Sequence, residues 1–566
     1  VAEIDHRRRL FDNGHNTITL AAGRSPASDT LVVTFDPFGA LNPDSPGFGE
    51  ALLTGQGFDV LSVQKWREDY YQHLSREAFA AATREVFARF RKLVFYGSSV
   101  GAYAALYFGA EYAADILALS PRVSSHPIYQ QADPAGAARP GRHRHDPIAV
   151  RPARAGRVVL VYDPVLARAS AGPSDIAYMQ AEILPAFPGL QLLALRHTGH
   201  PSATALAETH ALKPMLLDFI RSGSCSPAQY RGGKRSAPSY LLNLSFWLAQ
   251  RGRPRWAMAI CDKALRLAPE RPVLLFHKSD LLKQAGDPEG AMRIAERALQ
   301  IAPAEHPRRS ALIAALREAG DAEGALRVIE AGLDLPEELL STRQRATLLH
   351  RRARVLEGMG RIEDARDAAA QAANLGAPDA SLLFYVAQLE KRLLRGAAAL
   401  AKVEEAIALQ PDAGAFHRLR SEVLSGLGRQ SEARQAQERA VELQPDEPYW
   451  RMRLAQLSAE AGDARRAVAL LAEVTATAPL PTGLALQAAK LLHRLGEVET
   501  AIAVLREVVR RAPSEVQPRV LLARLLFGTG QADLALQQVT QGLSREPERA
   551  DLNRLREEIL RVTVAS

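Results

Sequence analysis

Cysteine is almost absent: Cys225 and Cys261 are the only two in 566 residues. Two thiols provide neither a disulfide framework nor the paired spacing of a zinc site, and they fit a reducing compartment. Long apolar runs are missing too. No stretch of about 18 apolar residues occurs, which excludes a helical membrane span. The opening Val1-Ala-Glu-Ile-Asp-His-Arg-Arg-Arg9 is basic but has no apolar segment behind it, so no secretory leader is expected in the given chain and the cytoplasm is the expected setting. Aromatic residues make up only 6% of the chain. With 47% hydrophobic and 24% charged residues, the composition is that of a soluble globular protein, and the length suits two to four domains.

A concentrated charge of one sign is also lacking. The net charge of +8 comes from 71 basic and 63 acidic residues. Residues 1–222 hold 22 basic and 21 acidic side chains, and Arg231, Lys234 and Arg235 add three more. No dense basic stripe interleaved with aromatics appears, so phosphate contacts plus base stacking have no platform and no nucleic-acid partner is expected. No cofactor motif and no metal-ligand set is found. His143-Arg-His145-Asp146 sits in a Pro/Arg-rich stretch and reads as a solvated loop.

What is present divides near Ser222. Residues 223–238 read as an exposed linker without apolar period. Before it, β-branched runs alternate with helical stretches. After it nearly everything reads as helix, and the helical part repeats. Pro269 and Pro303, then Pro411, Pro445, Pro479, Pro513 and Pro547, stand 34 residues apart. Seventeen residues before them lie Gly252, Gly286, Gly428, Gly462, Gly496 and Gly530, with Leu394 in place of one glycine. Five residues after those glycines come Ala257, Ala291, Ala433, Ala467, Ala501 and Ala535. Gly320/Ala325 and Gly360/Ala365 continue the series around an insertion at Pro336-Glu-Glu-Leu, and a second small-residue column runs through Ala264, Ala298, Ala406 and Ala440. These columns spell a helix, a glycine turn, a second helix and a stop, with alanines where helices cross closely.

This 34-residue period resembles the tetratricopeptide repeat, over residues 239–547 in about nine units, with Glu548–Val562 as a terminal capping helix. The resemblance implies an all-α superhelical solenoid over 239–566 whose concave wall takes an extended protein segment.

In the first part, residues 17–22 and 30–36 read as strands joined by a Gly-Arg-Ser-Pro turn, followed by strands at 58–63, 93–96, 116–119, 158–162 and 190–195. Phe79, Val86, Phe87 and Phe90 mark an amphipathic helix over 76–91. Directly after the strand Leu93-Val-Phe-Tyr96 stands Gly97-Ser-Ser99-Val-Gly101, and a small-residue helix follows. Strand, Gly-x-Ser-x-Gly and helix form a nucleophile elbow, whose strained turn demands Gly97 and Gly101.

Residues 15–221 thereby resemble the α/β-hydrolase family. The resemblance implies an α/β sandwich over 1–222 and a Ser…Asp…His order of catalytic residues. Ser99 is the implied nucleophile. His200, in Leu195-Arg-His-Thr-Gly-His200-Pro, is the implied base, with His197 as the alternative. Asp163, closing Val158-Val-Leu-Val-Tyr-Asp163, is the favoured acid, and Asp175, after a Gly-Pro-Ser turn, the alternative acid or a helix N-cap. Backbone N–H groups of Val100 and Phe38 are the oxyanion candidates, although Asp36-Pro37 departs from the family's His-Gly at this turn. Residues 121–156, with Arg122, Arg139, Arg142, Arg144, Arg151 and Arg154 against Asp133 and Asp146, read as a basic, flexible cover suited to an anionic or sugar-like substrate.

The expected function is that of a serine esterase or O-acyltransferase acting on a small ester or an acylated glycan without a cofactor. Its elbow is similar to that of hydrolase-like O-acetyltransferases of bacterial glycans or glycoproteins. A tetratricopeptide array would bring it to a protein partner. The alternative is a non-catalytic adaptor with an inert hydrolase-like part.

Overall fold

The computed structural model describes residues 7–23, 28–130, 143–150, 153–165, 175–476 and 480–565. Arg139, Arg142, Arg151 and Asp133 of the expected cover, and Pro479 of the proline column, lie outside the described residues. Two compact units are formed, Val1–Arg308 and Arg309–Ser566.

The first unit is built on one eight-stranded sheet. Its strands are β1 (Arg7–Asp12), β2 (Asn16–Ala21), β3 (Thr30–Phe35), β4 (Asp59–Lys65), β5 (Lys92–Ser98), β6 (Asp115–Leu119), β7 (Val158–Tyr162) and β8 (Gln191–Ala194). Their spatial order is β1-β2-β4-β3-β5-β6-β7-β8. The first two pairings, β1·β2 and β2·β4, are antiparallel, and all the rest are parallel. The expected turn between the runs at 17–22 and 30–36 therefore does not join neighbours: β4 lies between β2 and β3. β1 escaped the sequence reading because an edge strand carrying Arg7-Arg8-Arg9, only partly buried, shows no apolar alternation.

Central strands are buried on both faces, as parallel strands covered by helices must be. Leu31, Val33 and Phe35 point to one side, where Phe35, Phe79, Phe95 and Phe108 pack together beneath the helices Arg76–Phe87 and Val100–Gly109. Val32, Val94 and Tyr96 point to the other, against the helix Leu212–Ser222. Tyr230 belongs to that second core, with Tyr240 packed on it. The exposed linker expected over 223–238 is thus corrected. It forms the helix Ala228–Gly233 and a 3-10 turn Lys234–Ser236, and it is anchored because Tyr230 buries its ring in the sheet's core.

From Pro238 onward the chain is helix pairs, nine among the described residues, followed by the helix Ala550–Ala565. Two pairs belong to the first unit and seven to the second. The glycine column adopts left-handed backbone throughout, from Gly252 at φ 69° to Gly496 at φ 88°. Leu394 takes the same conformation, at φ 58°, with its side chain 92% exposed. The alanine columns are buried in the helix crossings, including Ala399, five residues after Leu394. A hydroxyl column accompanies them: Ser245, Ser279 and Ser421 each donate to the carbonyl of the column alanine 12 residues on, Ala257, Ala291 and Ala433. The insertion falls between the helix Ala322–Leu333 and a 17-residue helix, Thr342–Gly358, capped by a reciprocal Ser341/Gln344 box.

Candidate active site

β5 delivers Ser99 into a turn that only this local sequence permits. Ser99 has φ 56° and ψ −118°, a backbone region costly for a residue with a side chain. A Cβ on Gly97 would lie 2.2 Å from Gly101 O, and one on Gly101 would lie 2.3 Å from Phe35 O. Both glycines are therefore required by close approach of backbone to backbone. The turn projects Ser99 at the carboxyl edge of the sheet, at the N-terminus of the wholly buried helix Val100–Gly109. Ser98, its neighbour, is buried in the strand end.

Three side chains converge there. Ser99 Oγ is 2.9 Å from His200 Nε2, and His200 Nδ1 is 2.8 Å from Asp175 Oδ2. The second contact is an ion-pair distance, with the ring N–H not yet aligned on the carboxylate oxygen as a hydrogen bond. Asp175 opens the short helix Asp175–Tyr178. Its other oxygen faces Tyr129 Oη at 3.3 Å and an Arg122 guanidinium nitrogen at 3.7 Å. The Arg122 backbone N–H donates to Ser99 O, so this residue, three beyond the end of β6, touches both the serine and the acid.

Asp163 does not occupy the position expected of it. Its carboxylate accepts from the backbone N–H groups of Gly199 and Val165, both at 2.9 Å, and so holds the histidine loop by its main chain. The acid facing His200 is Asp175. The physical reason is reach: the carboxylate at the end of β7 is taken up by the backbone N–H groups of Gly199 and Val165, whereas Asp175, opening its short helix, stands 2.8 Å from the imidazole. His197 also lies elsewhere. It packs edge-on against Tyr240 and Trp247, centroids 5.7 and 5.6 Å away, and burial lowers its pKa.

The loop carrying His200 is held from several sides. Thr198 Oγ1 donates to Leu195 O, and Ser202 N–H donates to Ser120 Oγ. Gly199, at φ 74°, lies against Asn243 of the helix Pro238–Gln250, so closely that a Cβ would approach its amide nitrogen to 2.4 Å. Tyr230 Oη donates to Arg196 O. Ser239 and Arg271 converge on Glu208, which accepts from Ser239 N–H and from Arg271 at 2.7 and 2.6 Å. Residues beyond 222 therefore support the histidine.

Val100 N–H lies at the first position of its helix, where no intrahelical acceptor exists. The second oxyanion candidate, Phe38, stands on a braced turn. Lys65 Nζ donates to Asp36 O and Pro37 O, Glu68 accepts from Gly39 N–H, and Tyr71 Oη is 2.9 Å from Asp36 O. The Phe38 ring, 59% exposed, leans on Tyr70. The Asp36 carboxylate accepts from Phe48 N–H and Gln64 Nε2.

His145 corrects the solvated-loop reading of its segment. It is buried, with Nδ1 2.7 Å from Tyr103 Oη and Nε2 3.0 Å from Leu74 O, and its ring stacks on Tyr107. Burial brings its pKa down to about 3. Sequence reasoning missed it because a His-Arg-His-Asp string hides which histidine finds an aromatic wall. Arg122 and Tyr129 were also unassigned as contacts of the acid. In the sequence Arg122 reads only as part of the basic cover, and Tyr129 carries no signal.

Comparison with known proteins bears on the helical part. One tetratricopeptide repeat family model matches residues 248–316 and 492–559, and a second matches 387–448 and 452–516. No curated protein matches the sequence. Similar solved structures include a tetratricopeptide repeat protein from Parabacteroides merdae, 15% identical at TM-score 0.33, covering 45% of this chain and 98% of that one. YrrB, a TPR protein with an unusual peptide-binding site, is 15% identical at TM-score 0.28, over 36% of this chain and 97% of its own. Naa15/Naa10 bound to HypK-THB gives 14% identity and TM-score 0.36, over 62% and 64%. The helical part carries tetratricopeptide repeats. Among the described residues no helix is long and apolar enough to cross a membrane.

Proposed function

We propose that the chain is a serine-dependent acyl-ester hydrolase or O-acyltransferase of α/β-hydrolase type, with a repeat array that recruits a protein partner. The observation that carries this reading is the line of contacts from Ser99 Oγ through His200 to Asp175. Strand, strained serine turn and helix, followed in chain order by an acid and a histidine, support it. His200 Nε2 removes the hydroxyl proton as Ser99 Oγ attacks the acyl carbonyl. Asp175 stabilises the imidazolium that forms, and the Val100 N–H, with Phe38 as second candidate, holds the oxyanion. His200 then protonates the departing alkoxide, leaving an acyl-serine. Water or a sugar hydroxyl, deprotonated by His200, releases the acyl group and restores Ser99. Arg122 beside the acid favours an anionic or acylated-glycan substrate. Two buried free thiols, Cys225 and Cys261, suit a cytoplasmic setting.

A second reading is favoured by the family matches, which all lie in the repeats: a non-catalytic scaffold that binds proteins through its helix pairs. A fluorophosphonate probe separates the two. Labelling at Ser99, identified on its peptide and lost in His200→Ala, supports the enzyme. An unlabelled Ser99 in folded protein leaves the scaffold.

A further inference from the structure

Away from Ser99, two imidazoles and a carboxylate meet on a part of the fold that the proposed chemistry does not use. His15 lies between β1 and β2, and Asp69 and His73 lie in the segment after β4. His73 Nδ1 is 2.8 Å and His15 Nδ1 3.7 Å from the same oxygen, Asp69 Oδ2. The rings stack with centroids 3.8 Å apart, and ligand atoms of all three residues fall within 4.8 Å of one another. His73 Nδ1–H donates to that oxygen. Among the described residues His15 Nδ1 has no hydrogen-bond partner, so a second nitrogen converges on an acceptor already in use.

The surroundings hold this arrangement in place. Asp69 Oδ1 accepts from Tyr71 N–H at 2.9 Å, which leaves Oδ2 to the histidines. Asn13 Oδ1 accepts from the N–H groups of His15 and Asn16, while its Nδ2 donates to His73 O at 2.9 Å. Trp66 N–H donates to His15 O at 2.8 Å. These bonds fix the main chain at His15 and His73 and so the points from which the two rings project.

We propose that His15, Asp69 and His73 bind a first-row divalent metal ion of borderline softness, such as zinc. Two imidazole nitrogens with one carboxylate oxygen and no thiolate form a donor set for such ions rather than for calcium or magnesium. Both rings are partly exposed at their outer edges, while the Asp69 carboxylate they face is buried. The ion ties the β1–β2 turn to the segment that braces the Phe38 turn through Glu68 and Tyr70. That segment contains two successive aromatic residues in left-handed backbone, Tyr70 at φ 55° and Tyr71 at φ 63°. A metal clip offsets the cost of that conformation.

The test is zinc titration of the full, chelator-stripped chain by calorimetry, with cobalt absorption reporting on imidazole coordination. One equivalent should bind, and zinc should raise the melting temperature. His73→Ala and Asp69→Asn should weaken binding at least about 100-fold and abolish the thermal shift. His210→Ala, at a turn elsewhere in the same unit, should bind like the parent. Circular dichroism checks that the variants fold, and His15→Gln, at the more exposed ring, replaces any that does not. Equal affinity in parent and folded site variants overturns the proposal, as does a parent that binds no zinc.

Discussion

The sheet and the repeats bury apolar surface by opposite strategies. Around the sheet each part is used once: one strained serine turn, one carboxylate on the histidine loop, another on the histidine itself. In the array one contact recurs, with a serine hydroxyl on the carbonyl of a crossing alanine at 245/257, 279/291 and 421/433. The difference lies in sequence distance. Array partners are 12 residues apart, whereas Ser99 and His200 are separated by 101. Periodic local contacts can be read from a single chain. Singular long-range contacts can be read only where a motif marks them.

If the sheet's parts are singular, removing one should be decisive. Ser99→Ala should lower hydrolysis of a short p-nitrophenyl ester by at least about 10⁴-fold without changing the melting temperature downward. Equal rates in mutant and parent would refute the enzyme reading. The two carboxylates then sharpen the contrast within the site. Asp175→Asn should cost about 10³- to 10⁴-fold in kcat, because the imidazolium loses its counter-charge, and Asp163→Asn about 10-fold or less. The reverse order would restore Asp163 as the acid.

The boundary between the regions is open to attack by truncation. On the proposed reading, a chain ended at Arg308 should hydrolyse the test ester as fast as the full chain. One ended at Ser222 loses Tyr230 from the second core and the packing of Tyr240, Trp247 and Asn243 on the histidine loop, so it should aggregate or lose most of its activity. A soluble, fully active 1–222 would show that the repeats are dispensable to the site.

Acid should affect the sheet region through His145. Its folded pKa of about 3 lies below the ordinary 6.5, so between these values the unfolded chain binds the extra proton. Stability is then full above pH 6.5 and falls as pH drops toward about 3. Urea melts at several pH values should show this slope, reduced in His145→Gln.

The smallest effect belongs to the array, where one position breaks the period. Leu394→Gly should raise stability by up to about 1 kcal/mol, because a left-handed leucine is relieved while a more flexible unfolded chain takes some of the gain back. A denaturant melt that shows destabilisation would mean that the added freedom of the unfolded chain outweighs the relief of the left-handed leucine.

The repeats, the elbow and its two glycines were legible in the sequence. Each is a local demand: a turn that needs positive φ, a crossing that admits only alanine, a backbone approach that admits only glycine. Ser99 and His200 were legible because a motif and a loop pattern marked them. The carboxylate facing His200 was not, since Asp163 and Asp175 both follow β7 and no local rule ranks them. The same holds for β1, whose arginines hide an edge strand, and for Tyr230, an aromatic in a Gly/Ser-rich stretch that looks like linker.

Local chemistry determined where helices turn, which strand delivers the serine and that a repeat follows. Tertiary structure alone decided which aspartate meets His200, that His145 is buried against Tyr103 and Tyr107, and that His15, Asp69 and His73 share one oxygen. These outcomes depend on which distant segments the sheet order brings to the same edge. Local preferences act over a few residues, and that order is set by burial of the whole core.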